Sequence, residues 1–341
     1  MPDFSHDWHL TTHTLKKSIS LHPWKKIYMN NYMTYKNWTA GRYKLTTIAK
    51  DALCLSFNDQ WAVSMKRGQP SELWNIVTGT SKFRLEHPAG PIAAVTFDER
   101  YIAYFTLFAL LTLFSAGFSD GNIRIWDIIL ERWSFELRGH LLEVGSLSLY
   151  KDILVSGSED QTLKVWDLRT GLLLKSLVGH QGGICSIQHN GETIISTSAD
   201  STLKEWDLYT GKCTKTLVGH QGIVFCAQFN DKYICSGGQD RHIIKWDKSS
   251  GKKLKEFKGH HEAVVTLQFD STKLVSGSAD KTLKVWDLKT GHCLYSLMHH
   301  TSSIWNLRFN KSQIISSSFD NSLLVWDFSN ANDQDSELIH A

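Results

Sequence analysis

His180, Ser196 or Ser198, Asp200 and the nearby Trp206 include the side chains of a hydrolase triad: a hydroxyl nucleophile, an imidazole base and a carboxylate to orient it. Acyl transfer needs one nucleophile in one strained, accessible place. Here the set recurs as His140, Asp160 and Trp166, as His220, Asp240 and Trp246, and as His260, Asp280 and Trp286. A constellation repeated with a tryptophan attached each time is expected to be structural, so no catalytic residue is assigned and the chain reads as a non-enzyme. The cysteines Cys54, Cys185, Cys213, Cys226, Cys235 and Cys293 form no CxxC pair and no Cys/His cluster at zinc spacing. They read as small core residues in a reducing compartment, with no metal or cofactor implied.

The elements that must hold these residues follow from a strict period. Tryptophan stands at 126, 166, 206, 246, 286 and 326, each time followed by aspartate, and Trp74-Asn75 opens the series after a longer gap. Gly-His lies 27 residues before four of these tryptophans, at Gly139, Gly179, Gly219 and Gly259, and becomes His299-His300 in the last unit. Aspartate precedes the tryptophan by six residues from Asp120 to Asp320, while the first unit has Gly68 there. Between the marks run short β-branched and aliphatic stretches broken by Thr-Gly or Ser-Gly turns, which is strand chemistry at about ten-residue spacing.

Composition narrows the function classes. The chain has 341 residues, 42% of them hydrophobic and 21% charged, which is ordinary globular composition. Its 37 basic and 34 acidic residues are dispersed rather than blocked, so no basic stripe points to nucleic acid. The opening MPDFSHDWHL has no basic segment followed by an apolar one, so secretion is not indicated and cytoplasm or nucleus is expected.

Seven units marked by GH, D and WD at constant spacing, complete in some and degenerate in others, resemble the WD-repeat family. That resemblance implies an all-β, seven-bladed β-propeller over residues 42–329, with an N-terminal helical segment in 1–41 and a flexible tail at 330–341. It also implies that His, Ser/Thr, Asp and Trp of each unit form a hydrogen-bonded tetrad, and that the molecule binds proteins. The last unit ends one strand short at Trp326-Asp327, while RYKLTTI (42–48) is a strand without a unit, so the two ends are expected to pair.

The period breaks in two places. The step from Trp74 to Trp126 is 52 residues, and alignment assigns the surplus to Tyr104–Ser115 within an uncharged run from Tyr101 to Phe118. Crossing a membrane there would cut a blade between its second and third strands, so the segment is read as an apolar excursion or as translated non-coding sequence. The other break is PWKKIYMNNYMTYKNWTAGRYK, in which Trp24, Tyr28, Tyr32, Tyr35 and Trp38 fall at helical spacing and Gly41 stands at the stop. This predicts an amphipathic helix lying on the propeller.

Pro23-Trp24-Lys25, Tyr28, Asn37-Trp38 and Gly41 resemble the segment that joins the F-box to the propeller in F-box/WD-repeat proteins. The resemblance implies a substrate receptor of an SCF-type ubiquitin ligase, with an F-box reaching the Skp adaptor and cullin. Only 22 residues precede Pro23, without the opening Leu-Pro pattern of an F-box, so a shortened product or a scaffold without ligase coupling is the alternative. Trp166-Asp167-Leu168-Arg169 also matches the short WDxR pattern of cullin-4-type receptors.

In phosphodegron-reading members of that family, arginines occupy upper-face positions after the GH turn and before the blade aspartate. Here those positions carry Cys185, Phe225, Val265 and Trp305, and Glu159, Ala199, Gln239, Ala279 and Phe319. Arg67, in the first unit, is the only arginine at such a position. Phosphate recognition favours guanidinium forks, so a phosphate-independent peptide site around Phe225, Gln239, Trp305 and Phe319 is expected. At the position before the tryptophan, apolar in most units, stand Glu205 and Lys245, which are expected to approach each other or share a bridging group.

Overall fold

The computed structural model describes residues 23–49, 53–57, 61–65, 71–75, 80–85, 92–97, 113–127 and 132–329. Its strands form seven four-stranded antiparallel sheets, six of them made of strands consecutive in the chain. In the Trp166 sheet these are Val144–Tyr150, Ile153–Ser158, Thr162–Asp167 and Leu172–Val178. The seventh sheet takes its fourth strand from the other end of the chain, because Lys44–Ala49 pairs with Leu323–Asp327 and sets Leu45 opposite Trp326. The expected pairing of the two ends is therefore present.

First strands pack on first strands in sequence, and the last, Ile304–Phe309, packs on the first, Leu53–Phe57, so the series closes. From Ile153–Ser158 to Gln313–Ser318 the five second strands with described burial are buried on both faces, which explains their run of aliphatic and small residues, as in Ile153-Leu-Val-Ser-Gly-Ser158. A Cβ on Gly157 would stand 2.5 Å from Ile184 Cγ2 of the following sheet, so contact there is too close for a side chain. The core lies between sheets: Val155, Leu163, Val165 and Leu177 pack on Ile184, Ile187, Ile194, Trp206 and Leu208.

Side chains tie neighbouring sheets as well. Gln188, Gln228 and Gln268 accept hydrogen bonds at 2.6 Å from the backbone N–H of Phe229, Phe269 and Phe309, each 41 residues on. Lys175, Lys215 and Lys255 donate to backbone carbonyls of the next sheet, at Leu208 and Tyr209, at Lys248, and at Lys289 and Thr290. The turn between second and third strands holds Gln161, Ser201, Arg241, Lys281 and Asn321 at φ of 62–70°, the left-handed region that glycine occupies at Gly121.

Three expectations need correction. Leu113, Phe114 and Ser115 are not surplus: strand Leu113–Phe118 puts Phe114 opposite Trp126 and Phe97. Register is set backwards from the tryptophan through the hairpin, so LFS takes the place that alignment gave to Tyr101-Ile-Ala103. The excess also falls between the first and second strands of its sheet; residues 104–112 lie outside the described residues. The helix does form, over Pro23–Ala40, and Gly41 ends it at φ 65°. Over its described side chains it is not laid along the sheets, because Tyr28, Tyr32 and Tyr35 are exposed and, among the described helix residues, only Asn37 and Trp38 are buried.

That last turn is held firmly. Trp38 stacks on Phe328 at 4.0 Å and donates from Nε1 to the Lys311 carbonyl at 2.9 Å, and Asn37 Nδ2 donates to the Phe328 carbonyl at 2.7 Å. Lys273 Nζ lies 4.4 Å from the Trp38 ring centre. The docked turn thus covers the place where the chain's two ends meet.

Candidate functional site

The repeated polar residues come together as tetrads. In the Trp206 sheet, His180 Nδ1 lies 2.7 Å from Asp200 Oδ2, His180 Nε2 lies 2.8 Å from Ser196 Oγ, and Trp206 Nε1 donates to the same Oγ at 2.8 Å. The same geometry holds His140, Ser156, Asp160 and Trp166 together, and likewise His260, Ser276, Asp280 and Trp286. His220, Ser236, Asp240 and Trp246 form a further set. One proton arrangement satisfies every group: Nδ1–H donates to the carboxylate, the serine hydroxyl donates to Nε2, and the indole donates to the hydroxyl. Of the two candidate serines, Ser196 is the tetrad member, while Ser198 Oγ donates to the Gly182 carbonyl. The tetrad serines are fully buried. A nucleophile there has no approach for substrate.

Repetition also revealed less than is present. His300, Ser316, Asp320 and Trp326 complete a fifth described tetrad despite the lost glycine. Thr162, Thr202, Thr282 and Ser322 add a hydroxyl bond to the aspartate at 2.6–2.7 Å. A hydroxyl residue four positions before the tryptophan was the available signal. Among the five described tetrads only that of Trp246 replaces it, with His242.

Burial by itself would raise the tetrad carboxyls, but bonds from the histidine and backbone N–H groups, joined by the Thr162 and Thr202 hydroxyls at Asp160 and Asp200, outweigh it and hold Asp160, Asp200 and Asp240 at about 2. Burial lowers His140, His180, His260 and His300 despite their aspartates. These groups are therefore a carboxylate and a neutral imidazole at neutral pH. Burial raises Cys185 to about 12, with Glu159 and Asp200 adding to the effect, and raises Cys235 to about 12. Cys213 and Cys293 are exposed on fourth strands, which corrects their assignment to the core; the edge strand of each sheet faces solvent.

The loops carrying the tetrad histidines and the turns carrying the tetrad aspartates share one end of the sheets, where Glu159 N donates to the Glu143 carbonyl and Gln239 N to the Ile223 carbonyl. On that upper face, Cys185, Phe225, Val265 and Trp305 are the bulged residues of their first strands. A bulge re-aims a side chain, and the repeat spacing alone did not reveal it. Trp305 and Phe319 meet edge to face at 5.0 Å, with Phe319 49% exposed, Trp305 and Phe225 half-buried and Gln239 exposed. Gln239 Oε1 accepts from Ile223 N at 3.2 Å. Arg67 lies outside the described residues.

Glu205 and Lys245 do not pair, contrary to expectation. Glu205 accepts from Lys215 Nζ at 3.0 and 3.2 Å on the adjacent strand of its own sheet, and Lys245 Nζ donates to the Leu288 carbonyl at 3.2 Å while lying 3.8 Å from the Tyr233 ring centre. Each buried charge finds a partner within reach of its own strand or the next sheet. Among the described residues no group of His, Cys, Asp and Glu is arranged to hold a metal ion, and no helix is long and apolar enough to cross a membrane.

Five of the units match the model of the WD domain, G-beta repeat, at 132–167, 171–207, 211–247, 251–287 and 291–327. The chain belongs to the WD40 repeat family. Among solved structures, the crystal structure of the computationally designed Ika8 protein is similar to this WD40 chain with a TM-score of 0.63 and 26% identity, over 82% of this chain and 97% of that one. The comparison with curated proteins finds no match. The WD40 repeats make the chain a protein-interaction module.

Proposed function

We propose that residues 42–329 close as a seven-bladed propeller whose upper face holds a peptide of a partner protein around Phe225, Gln239, Trp305 and Phe319, without requiring phosphate. The observation that carries this is the edge-to-face pair of Trp305 and Phe319 beside the ring mouth, with Phe319 half exposed to solvent. Large aromatic side chains supply apolar area at little entropic cost and are enriched among interface anchors. None of the nine positions surveyed in the later units carries arginine, and Arg67 holds the equivalent place in the first unit. The test is affinity capture of partners by the wild-type chain and by Trp305→Ala and Phe319→Ala, with and without phosphatase treatment. Loss of capture in the variants and insensitivity to phosphatase is the expected outcome; the reverse pattern refutes the proposal and directs attention to Arg67 and Arg241.

The module's cellular role is proposed to be substrate recognition for an SCF-type ubiquitin ligase. This rests on the resemblance of the Pro23–Gly41 segment to an F-box linker, within which Asn37, Trp38 and Gly41 are the residues that bury, dock and terminate the helix. Pull-down of the Skp adaptor by the longest transcript's product tests it. A longest product that lacks an F-box and captures no adaptor leaves the WD40 module as a scaffold without ligase coupling.

A further inference from the structure

The charged groups of the upper face are unevenly placed. Glu143 and Glu159 stand together on the Trp166 sheet, where Glu159 N donates to the Glu143 carbonyl at 3.0 Å. Both are exposed, and neither carboxylate takes a hydrogen bond or an ion pair among the described residues. Arg138 nearby is engaged by Glu136 at 2.7 Å. Glu159 leans over the next sheet, since a side chain on Gly183 would collide with its Oε2, and its field adds to the raised pKa of Cys185. On the far side, Arg241 of the Trp246 sheet and Lys281 of the Trp286 sheet are exposed without ion-pair partners among the described residues, and the exposed Glu262 stands in the loop before the first strand of the Trp286 sheet.

Between these two sides the Trp206 sheet presents the small residues Gly182, Gly183 and Ala199, with the Glu159 carboxylate packed over Gly183. The tops of the Trp286 and Trp326 sheets are joined by Ser303 Oγ donating to the Ala279 carbonyl at 3.3 Å. Lys281 is thus on the sheet adjoining Trp305 and Phe319. Among the described residues, the sheets from Trp166 to Trp326 present in order acidic, small, aromatic-amide, basic and aromatic side chains.

We infer that the bound partner is an extended peptide of fixed polarity, which sets a lysine or arginine against Glu143 and Glu159 and acidic residues toward Arg241 and Lys281, with its apolar anchor between Trp305 and Phe225. This rests on the upper-face reading and adds direction to it. Aromatic contact tolerates either chain direction, whereas charges on both sides do not. An exposed ion pair contributes roughly two- to fivefold in affinity, and reversal replaces attraction by repulsion, so the correct direction is favoured by about tenfold.

The test is selection from a random dodecamer display library on the full chain and on Glu143→Lys/Glu159→Lys, which alters exposed positions only and is checked for an unchanged melting temperature. Selected peptides and their charge-reversed twins are then measured by fluorescence anisotropy at low and high salt. The inference is supported by an apolar anchor with lysine or arginine at a constant offset, about tenfold weaker binding of the twin, and replacement of the basic residue by an acidic one on the double variant. An uncharged consensus, or the same consensus on both proteins, overturns the polarity, and the upper-face reading then survives only if Trp305→Ala abolishes binding. A consensus indifferent to both kinds of variant, or no enrichment, overturns both.

Discussion

Replacing Asp280 by asparagine isolates what one tetrad carboxylate contributes. Asp280 accepts four hydrogen bonds: from His260 Nδ1 at 2.8 Å, His261 N at 2.9 Å, Thr282 N at 3.0 Å and Thr282 Oγ1 at 2.6 Å. An amide keeps one oxygen and turns an NH2 toward the remaining two donors. Two bonds to a charged acceptor are lost, each contributing about 1.5–3 kcal/mol, so a destabilisation of about 3–6 kcal/mol is expected at pH 6. Because the bonds hold the folded carboxyl far below its ordinary 3.8, this contribution is complete above that value and declines as pH falls below it. At pH 3 the unfolded chain has taken up most of a proton at this site and the folded chain has not, which narrows the gap between wild type and variant by about 1 kcal/mol. Urea unfolding followed by tryptophan fluorescence, at pH 6 and pH 3 with matched slopes, measures both quantities. A gap below about 1 kcal/mol at pH 6, or one that widens toward pH 3, would refute the reasoning.

Trp38→Ala removes the indole stacked on Phe328 and is expected to cost about 3–5 kcal/mol, whereas Tyr35→Ala, at an exposed position of the same helix, should stay within about 0.5 kcal/mol. Equal effects in urea titrations would mean that the helix docks along its whole length. The buried Tyr295 hydroxyl has no hydrogen-bond partner, and burial raises its pKa, so Tyr295→Phe should stabilise the chain by about 1 kcal/mol; a lower urea midpoint would show that the hydroxyl is bonded. Lys215→Met strips the mostly buried Glu205 of its ion partner and should cost about 2–3 kcal/mol. Adding Glu205→Val, the residue of the Trp166 and Trp286 sheets at that position, should recover most of the loss. No recovery in the double-mutant cycle would show that the Lys215 contact with the Lys248 carbonyl is what matters.

Periodicity marked the units and the His, Asp and Trp repeated in them, and the resemblance to WD-repeat proteins added the four strands per unit, the tetrad and the pairing of residues 42–48 with the last sheet. These follow because a repeat that cannot bury its faces alone must stack on its neighbours, which imposes the same residues at the same offsets. What spacing left open was decided by contacts between strands and sheets. Ser196 and Ser198 are two residues apart on one strand, and only the position of the Trp206 indole selects the first. Leu113-Phe-Ser115 and Tyr101-Ile-Ala103 fit the strand pattern comparably, and hairpin register from Trp126 chose the former. Tyr28, Tyr32 and Tyr35 share helical spacing with Trp38, yet burial depends on where the sheets end, and only the last turn reaches Phe328. Glu205 and Lys245 suggested a pair because their charges are opposite, but each side chain took the partner its own strand pairing brought nearest. The bulges at Phe225 and Trp305 leave no mark in composition, because a register shift is a property of two strands and not of one.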